Sequence, residues 1–162
     1  MDHGPAAIVE SARDLAALLP DGGALLALDL GTHTIGVATC DAGWRFATAG
    51  KTIARGKFGA DAAKLSAIVM QRGIRGIVIG LPRNMDGSEG PRTQSSRAYA
   101  RNLAVKIGLP VLLWDERWST LSAERDLIAQ DVSRRKRGAV IDSHAAAVIL
   151  QGAIDALAGA SF

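Results

Sequence analysis

The chain has 162 residues, 48% of them apolar and 22% charged, which describes one folded domain with a proper core and excludes a disordered chain. No apolar run reaches the roughly 18 residues that a membrane span needs, and Met1 to Pro5 lack the basic region of a secretory signal. A single cysteine, Cys40, has no partner for an internal disulfide, so a reducing, cytoplasmic setting is expected, with Cys40 in the core.

The net charge of +3 is unevenly spread. Residues 1–50 carry −4 and residues 138–162 carry −2, whereas residues 51–91 carry +4 and residues 92–137 carry +5. Arg134, Arg135, Lys136 and Arg137 are consecutive. A basic middle of this kind suits a polyanionic partner, although a solvated loop has the same composition.

Residues 6–19 space Ile8, Ala12, Leu15, Leu18 and Leu19 as one face of a short helix that ends at Pro20-Asp21-Gly22-Gly23. Residues 1–23 therefore read as a loosely attached N-terminal extension, and residues 24–162 as a single domain. Ala24 to Leu30 is an apolar strand in which Leu26, Leu28 and Leu30 share one face, with Leu25, Ala27 and Asp29 on the other. An ionised carboxylate beside a core is costly unless paired or metal-bound, so Asp29 needs a reason. Either a hairpin turn satisfies it with its own amides, or it belongs to a site. Ile35 to Cys40 returns as a second strand, and the alternation of Trp44, Phe46 and Thr48 extends a third from Trp44 to Ile53.

The period then changes. Phe58, Ala62, Leu65, Ile68 and Val69 mark a helix that Gly73 stops. Gly76 to Leu81 is a continuous apolar strand, as a central parallel one would be, followed by a turn at Asn84-Met85-Asp86-Gly87. Pro91 opens a helix that buries Tyr99, Leu103 and Ile107. Leu109 to Trp114 is the last strand and runs into Asp115-Glu116-Arg117. A helix over Leu121–Ala129 and a polar, basic loop over Asp131–Gly138 lead to a final helix, Ile141 to Ala158. The fold class is α/β: a mixed five-stranded sheet, with a three-strand antiparallel meander and two parallel strands, flanked by helices.

Three acids in this order lie where an apolar element meets a loop or a core face. Asp29 ends the first strand, Glu116 follows the last, and Asp142 opens the final helix on the side of Ala145, Ala146 and Ile149. If the first and fourth strands are parallel neighbours and the fifth lies beside the fourth, the acids converge at one end of the sheet. Carboxylates gathered in this way repel one another, and Mg²⁺ or Mn²⁺ removes that penalty. Separate satisfaction is the other reading, with Asp142 as a first-turn helix residue and Arg117 paired to Glu116.

Four segments resemble the YqgF (RuvX) family: Leu28 to Ala38, Ile79 to Ser88, Asp115 to Thr120, and Asp142 to Gln151. They occur in the family's order, and the resemblance runs from about residue 24 to residue 155. It implies a ribonuclease H-like fold and a nuclease that matures the 5′ end of the small-subunit ribosomal RNA precursor, acting in ribosome biogenesis. The family has also been described as Holliday-junction resolvases. The resemblance puts metal-binding, catalytic acids at Asp29, Glu116 and Asp142; two Mg²⁺ or Mn²⁺ ions held there would be expected to clamp a phosphodiester. Two departures are visible. His33 stands where the family usually has Lys or Arg, and Ala145 and Ala146 stand where RuvC-like resolvases carry a further acid.

His33, Arg83, Arg117, Arg134, Arg135, Lys136 and Arg137 are the candidate nucleic-acid contacts. Structured RNA, branched DNA and pre-ribosomal particles are the expected partners, with no membrane. A nucleic-acid-binding scaffold that cleaves little is a competing class. An actin-like or sugar-kinase domain also opens on strand-Asp-x-Gly-Thr, but it needs a second domain that 162 residues cannot supply.

Overall fold

A computed structural model describes residues 6–118 and 134–160, with side chains described over 6–117 and 144–159. The expected helix over Leu121–Ala129 lies outside the described residues. Strands are β1 (Ile8–Val9), β2 (Ala24–Leu30), β3 (Thr34–Cys40), β4 (Thr48–Ala49), β5 (Ile53–Ala54), β6 (Ile74–Leu81) and β7 (Val111–Asp115). Helices are α1 (Ala12–Leu18), α2 (Phe58–Arg72), α3 (Pro91–Ile107) and α4 (Arg134–Ala160).

One sheet runs in the order β1-β7-β6-β2-β3-β4, with β5 also on β3. β2 pairs with β3 antiparallel and with β6 parallel, and β7 lies parallel to β6 on its far side. This is the arrangement that brings the ends of β2 and β7 to one edge. The central strands are buried on both faces, hence their nearly unbroken apolar runs. Leu26, Leu28, Ile77, Ile79 and Leu113 pack under α2 and α3, while Leu25, Ala27, Val78, Leu112 and Trp114 pack under α1 and α4. Cys40 is a core residue, as expected, and so is Trp114.

The described strands number seven, not five, and both additions have local causes. The expected helix is present over Ala12–Leu18, but residues 6–19 are not loosely attached. Ile8 and Val9 pair with Val111 and Leu112 at the sheet edge, and Leu15 of α1 is fully buried against α4 and the sheet. Their short apolar alternation is too brief to be distinguished from a helical face by pattern alone.

The expected strand from Trp44 to Ile53 is broken in two. Trp44 adopts a left-handed φ of 52°, and its indole N–H donates to the Gly23 carbonyl at 2.7 Å. Gln151 of α4 accepts from the Ala47 N–H and donates to the Arg45 carbonyl, so this stretch bonds to a helix side chain instead of to β3. Phe46 consequently faces solvent, 77% exposed. Farther on, the steps from Ala38 to Ile35 on β3 face the longer run from Ala49 to Ile53, a one-residue bulge that separates β4 from β5.

The start of the last helix also differs. Arg134 to Gly138 were expected in a loop, yet they form the first turns of α4. Arginine and lysine are good helix formers, and a helix anchored by packing extends through them without any apolar period.

Candidate active site

The site builds outward from Gly80. It continues the register in which Ala27 faces Val78 and Leu28 faces Ile79, so Asp29 and Gly80 are neighbours across β2 and β6. Gly80 in turn pairs with Trp114 of β7. Strand alternation puts Asp29, Gly80 and Trp114 on the face covered by α4. Asp29 is only 4% exposed.

Glu116 follows β7 in a short 3₁₀ turn, Glu116–Trp118, and its side chain reaches back over β6. A Cβ built at Gly80 would lie 2.6 Å from Glu116 Oε1 and 2.5 Å from Ile149 Cδ1 of α4. The missing side chain at 80 is therefore the space through which the Glu116 carboxylate approaches the Asp29 strand. β2 and β7 each neighbour β6, so their backbones are about 10 Å apart, a gap two acidic side chains can narrow only across a residue without a Cβ.

Position 142 lies on α4 one turn before Ala145 and Ala146, which are fully buried against the sheet. Helical spacing sets 142 on the same stripe as these alanines. The Asp142 side chain lies outside those described, as do those of Arg134, Arg135, Lys136, Arg137 and Trp118. Among the described residues no three acid, histidine or cysteine side chains cluster as a metal cage. The described oxygen donors here are Asp29 and Glu116, and hard carboxylate oxygens are what Mg²⁺ and Mn²⁺ prefer.

Adjacent acids 115 and 116 are separated by the same alternation. Asp115 is 3% exposed and accepts from the Arg117 backbone N–H at 2.9 Å and from Arg117 Nη2 at 2.6 Å. Arg83 Nη1 stands 3.5 Å from the same carboxylate. Burial raises the Asp115 pKa, but the hydrogen bonds and charge of Arg117, with the charge of Arg83, outweigh it and hold the carboxyl below its ordinary value. Arg117 therefore pairs with Asp115, where the sequence suggested Glu116.

Arg83 is similarly committed. It also contacts Glu10 at 3.0 Å and Glu89 at 3.5 Å, and Glu10 and Glu89 share Arg97. His33 is exposed in the β2–β3 turn, where its carbonyl accepts from the Arg55 N–H. Gly31 is fixed by that turn itself, since a Cβ there would sit 2.8 Å from the Thr34 carbonyl oxygen. Gly80, Asp115 and Arg55 were not singled out from sequence. A glycine inside an apolar strand was the available signal for Gly80. The partners of Asp115 and Arg55 are far away in the chain and left no such signal.

A family model described as "RuvX: Holliday junction resolvase" matches residues 23–156. A Novosphingobium aromaticivorans protein named "Putative pre-16S rRNA nuclease" is 64% identical over 155 residues, covering 96% of this chain and 99% of its own. A Cereibacter sphaeroides protein of the same name is 59% identical, covering 93% and 94%. Among solved structures, Thermus thermophilus RuvC in complex with a Holliday junction substrate aligns with a TM-score of 0.51 at 12% identity, over 85% of this chain and 97% of that one. That likeness concerns the fold, which is ribonuclease H-like. With its sheet, its helices and a match over nearly the whole domain, the chain belongs to the RuvX family.

Proposed function

We propose that the protein is a metal-dependent endonuclease that hydrolyses phosphodiester bonds in structured RNA, in 5′-end maturation of the 16S ribosomal RNA precursor. The observation that carries this is the approach of Glu116 over Gly80 toward the end of β2, where Asp29 is buried on the α4 face. Nothing in the packing of an apolar core calls for two carboxylates there, and each costs stability unless a cation or donor compensates it. The names of the relatives supply the RNA substrate and the hydrolytic class.

Asp29, Glu116 and Asp142 would hold the Mg²⁺ or Mn²⁺, as a pair of ions. Bound there, divalent metal supplies a nucleophilic water and neutralises charge developing on the phosphodiester. The buried Asp29 contributes a rigid ligand on a central strand. Arg134, Arg135, Lys136 and Arg137 contact the phosphate backbone without reading sequence, and His33 offers a smaller contact from the β2–β3 turn. Arg83 and Arg117 act one step removed, by neutralising Asp115 so that it does not repel charge gathered at Glu116.

A resolvase acting on branched DNA is the second reading, favoured by the description of the family model. Cleavage assays on both nucleic acids with wild type and Asp29→Asn separate the two. Metal-dependent RNA cleavage that the variant loses supports the first reading, and paired symmetric cuts in a junction alone support the second.

A further inference from the structure

A second feature lies at the end of β2, on the other side of the sheet from Asp29. Leu30 and Gly31, the first two turns of α3 and Arg55 line a cavity of about 280 Å³. Its polar wall consists of Thr32, Arg55, Arg92, Ser95 and Ser96, with no carboxylate among the residues that line it.

These groups are unusually placed. Ser96 is only 6% exposed, and its hydroxyl makes no hydrogen bond among the described residues, although it lines the cavity. The hydroxyl is not among the fully buried unpartnered polar atoms, so it opens into the cavity, where a ligand oxygen can reach it. Arg55 is held from two directions. Its Nη1 donates to the Gly31 carbonyl at 2.7 Å, and its guanidinium stacks 5.1 Å from the centre of the Tyr99 ring. Its remaining donors have no carboxylate partner among the described residues. Asp61, the acid packed nearby, is already occupied by the Gly56 N–H and the Tyr99 hydroxyl. Arg92 has no ion pair among the described residues either. A fixed guanidinium, a second cation and three hydroxyls around a small space form a set of donors for one tetrahedral oxyanion.

We propose that this cavity binds a backbone phosphate of the nucleic acid, flanking the one that is cleaved. The inference rests on the nuclease reading for its ligand, and it assigns the α3 side of the sheet edge to substrate. A strand crossing the end of β2 would meet Asp29 on one face and the Arg55–Arg92 cavity on the other. The subsite fixes how far the strand extends past the carboxylates and so which bond is presented to them.

The test has two arms. Inorganic phosphate is titrated into the ¹⁵N-labelled full chain, and RNA affinity is measured as a function of salt on the Asp29→Asn background, so that no cleavage intervenes. Saturable shifts are expected at the amides of Thr32, Ser95 and Ser96. Arg92→Gln should weaken RNA binding about tenfold and reduce the salt slope by about one, while Arg92→Lys keeps the slope. Ser96→Ala should leave the melting temperature unchanged or raised yet weaken phosphate binding, which a purely structural serine would not do. The proposal is overturned if phosphate gives no saturable shift, or if Arg92→Gln leaves RNA affinity and salt slope unchanged. Cleavage that persists in Asp29→Asn would instead overturn the nuclease reading and leave the phosphate titration standing.

Discussion

Glu116 Oε1 lies only 2.6 Å from where a Cβ of Gly80 would be, so the carboxylate that follows β7 occupies the space of a side chain that β6 lacks. Gly80→Ala must displace both Glu116 and Ile149, whose Cδ1 is 2.5 Å from the same point. Overpacking of this kind costs about 1–3 kcal/mol. The variant is expected to fold with a lower urea midpoint and to lose at least about tenfold in cleavage rate, since a carboxylate moved by an ångström no longer positions the reaction. A denaturation curve and a single-turnover assay check both parts.

Leu15 tests whether the N-terminal segment belongs to the fold. It is fully buried in the cluster that contains Trp114 and Ile149. Leu15→Ala should cost about 2–5 kcal/mol, read as a shift in the urea midpoint at constant slope. A surface-attached extension would give nearly none.

Glu89 supplies a pH signature. Its hydrogen bonds from Arg97 hold the carboxyl below the ordinary range, with the charge of Arg83 adding to them. A depressed folded pKa stabilises the protein above the unfolded value of about 4.3, and that stability is lost as pH falls through the folded value. Glu89→Gln should therefore be less stable than wild type at pH 7. The gap should shrink below about pH 5 and close under the folded pKa, as urea midpoints across pH would record.

Cys40 gives the opposite sign. Burial is the main reason its thiol pKa is raised, with the nearby charge of Asp41 contributing in the same sense. The stability contributed by its neutral form is present below the unfolded value of about 8.5 and is lost as pH rises through the folded one. At pH 8 the native protein should resist iodoacetamide and react fully once unfolded, which mass spectrometry would resolve.

Much of this was legible in the sequence where one period dominated. The alternation of Leu25 to Leu30 assigned Asp29 to its face, Gly73 marked the end of α2, and Pro91 the start of α3. The parallel adjacency of β2, β6 and β7 entered the sequence reading only as a condition for the acids to converge, and the structure meets it. What failed depended on contacts between distant residues. Nothing near Arg45 indicates that Gln151, far along the chain, would take its carbonyl and interrupt a strand. Nothing in Asp115-Glu116 says which acid faces Arg83 and which faces α4. That distinction needs the strand and its neighbours. The run at Arg134 lacked apolar spacing because a helix continued from a packed segment does not require it.

The most direct measurement compares wild type and Asp29→Asn on a 5′ segment of the 16S ribosomal RNA precursor and on a four-way DNA junction, each with Mn²⁺ and with chelator. Asparagine keeps the shape of a buried side chain that is 4% exposed, so the variant should fold. The account predicts RNA cleavage by wild type with Mn²⁺, none with chelator, and none by the variant although it still binds RNA. Cleavage by Asp29→Asn at the wild-type rate would contradict it.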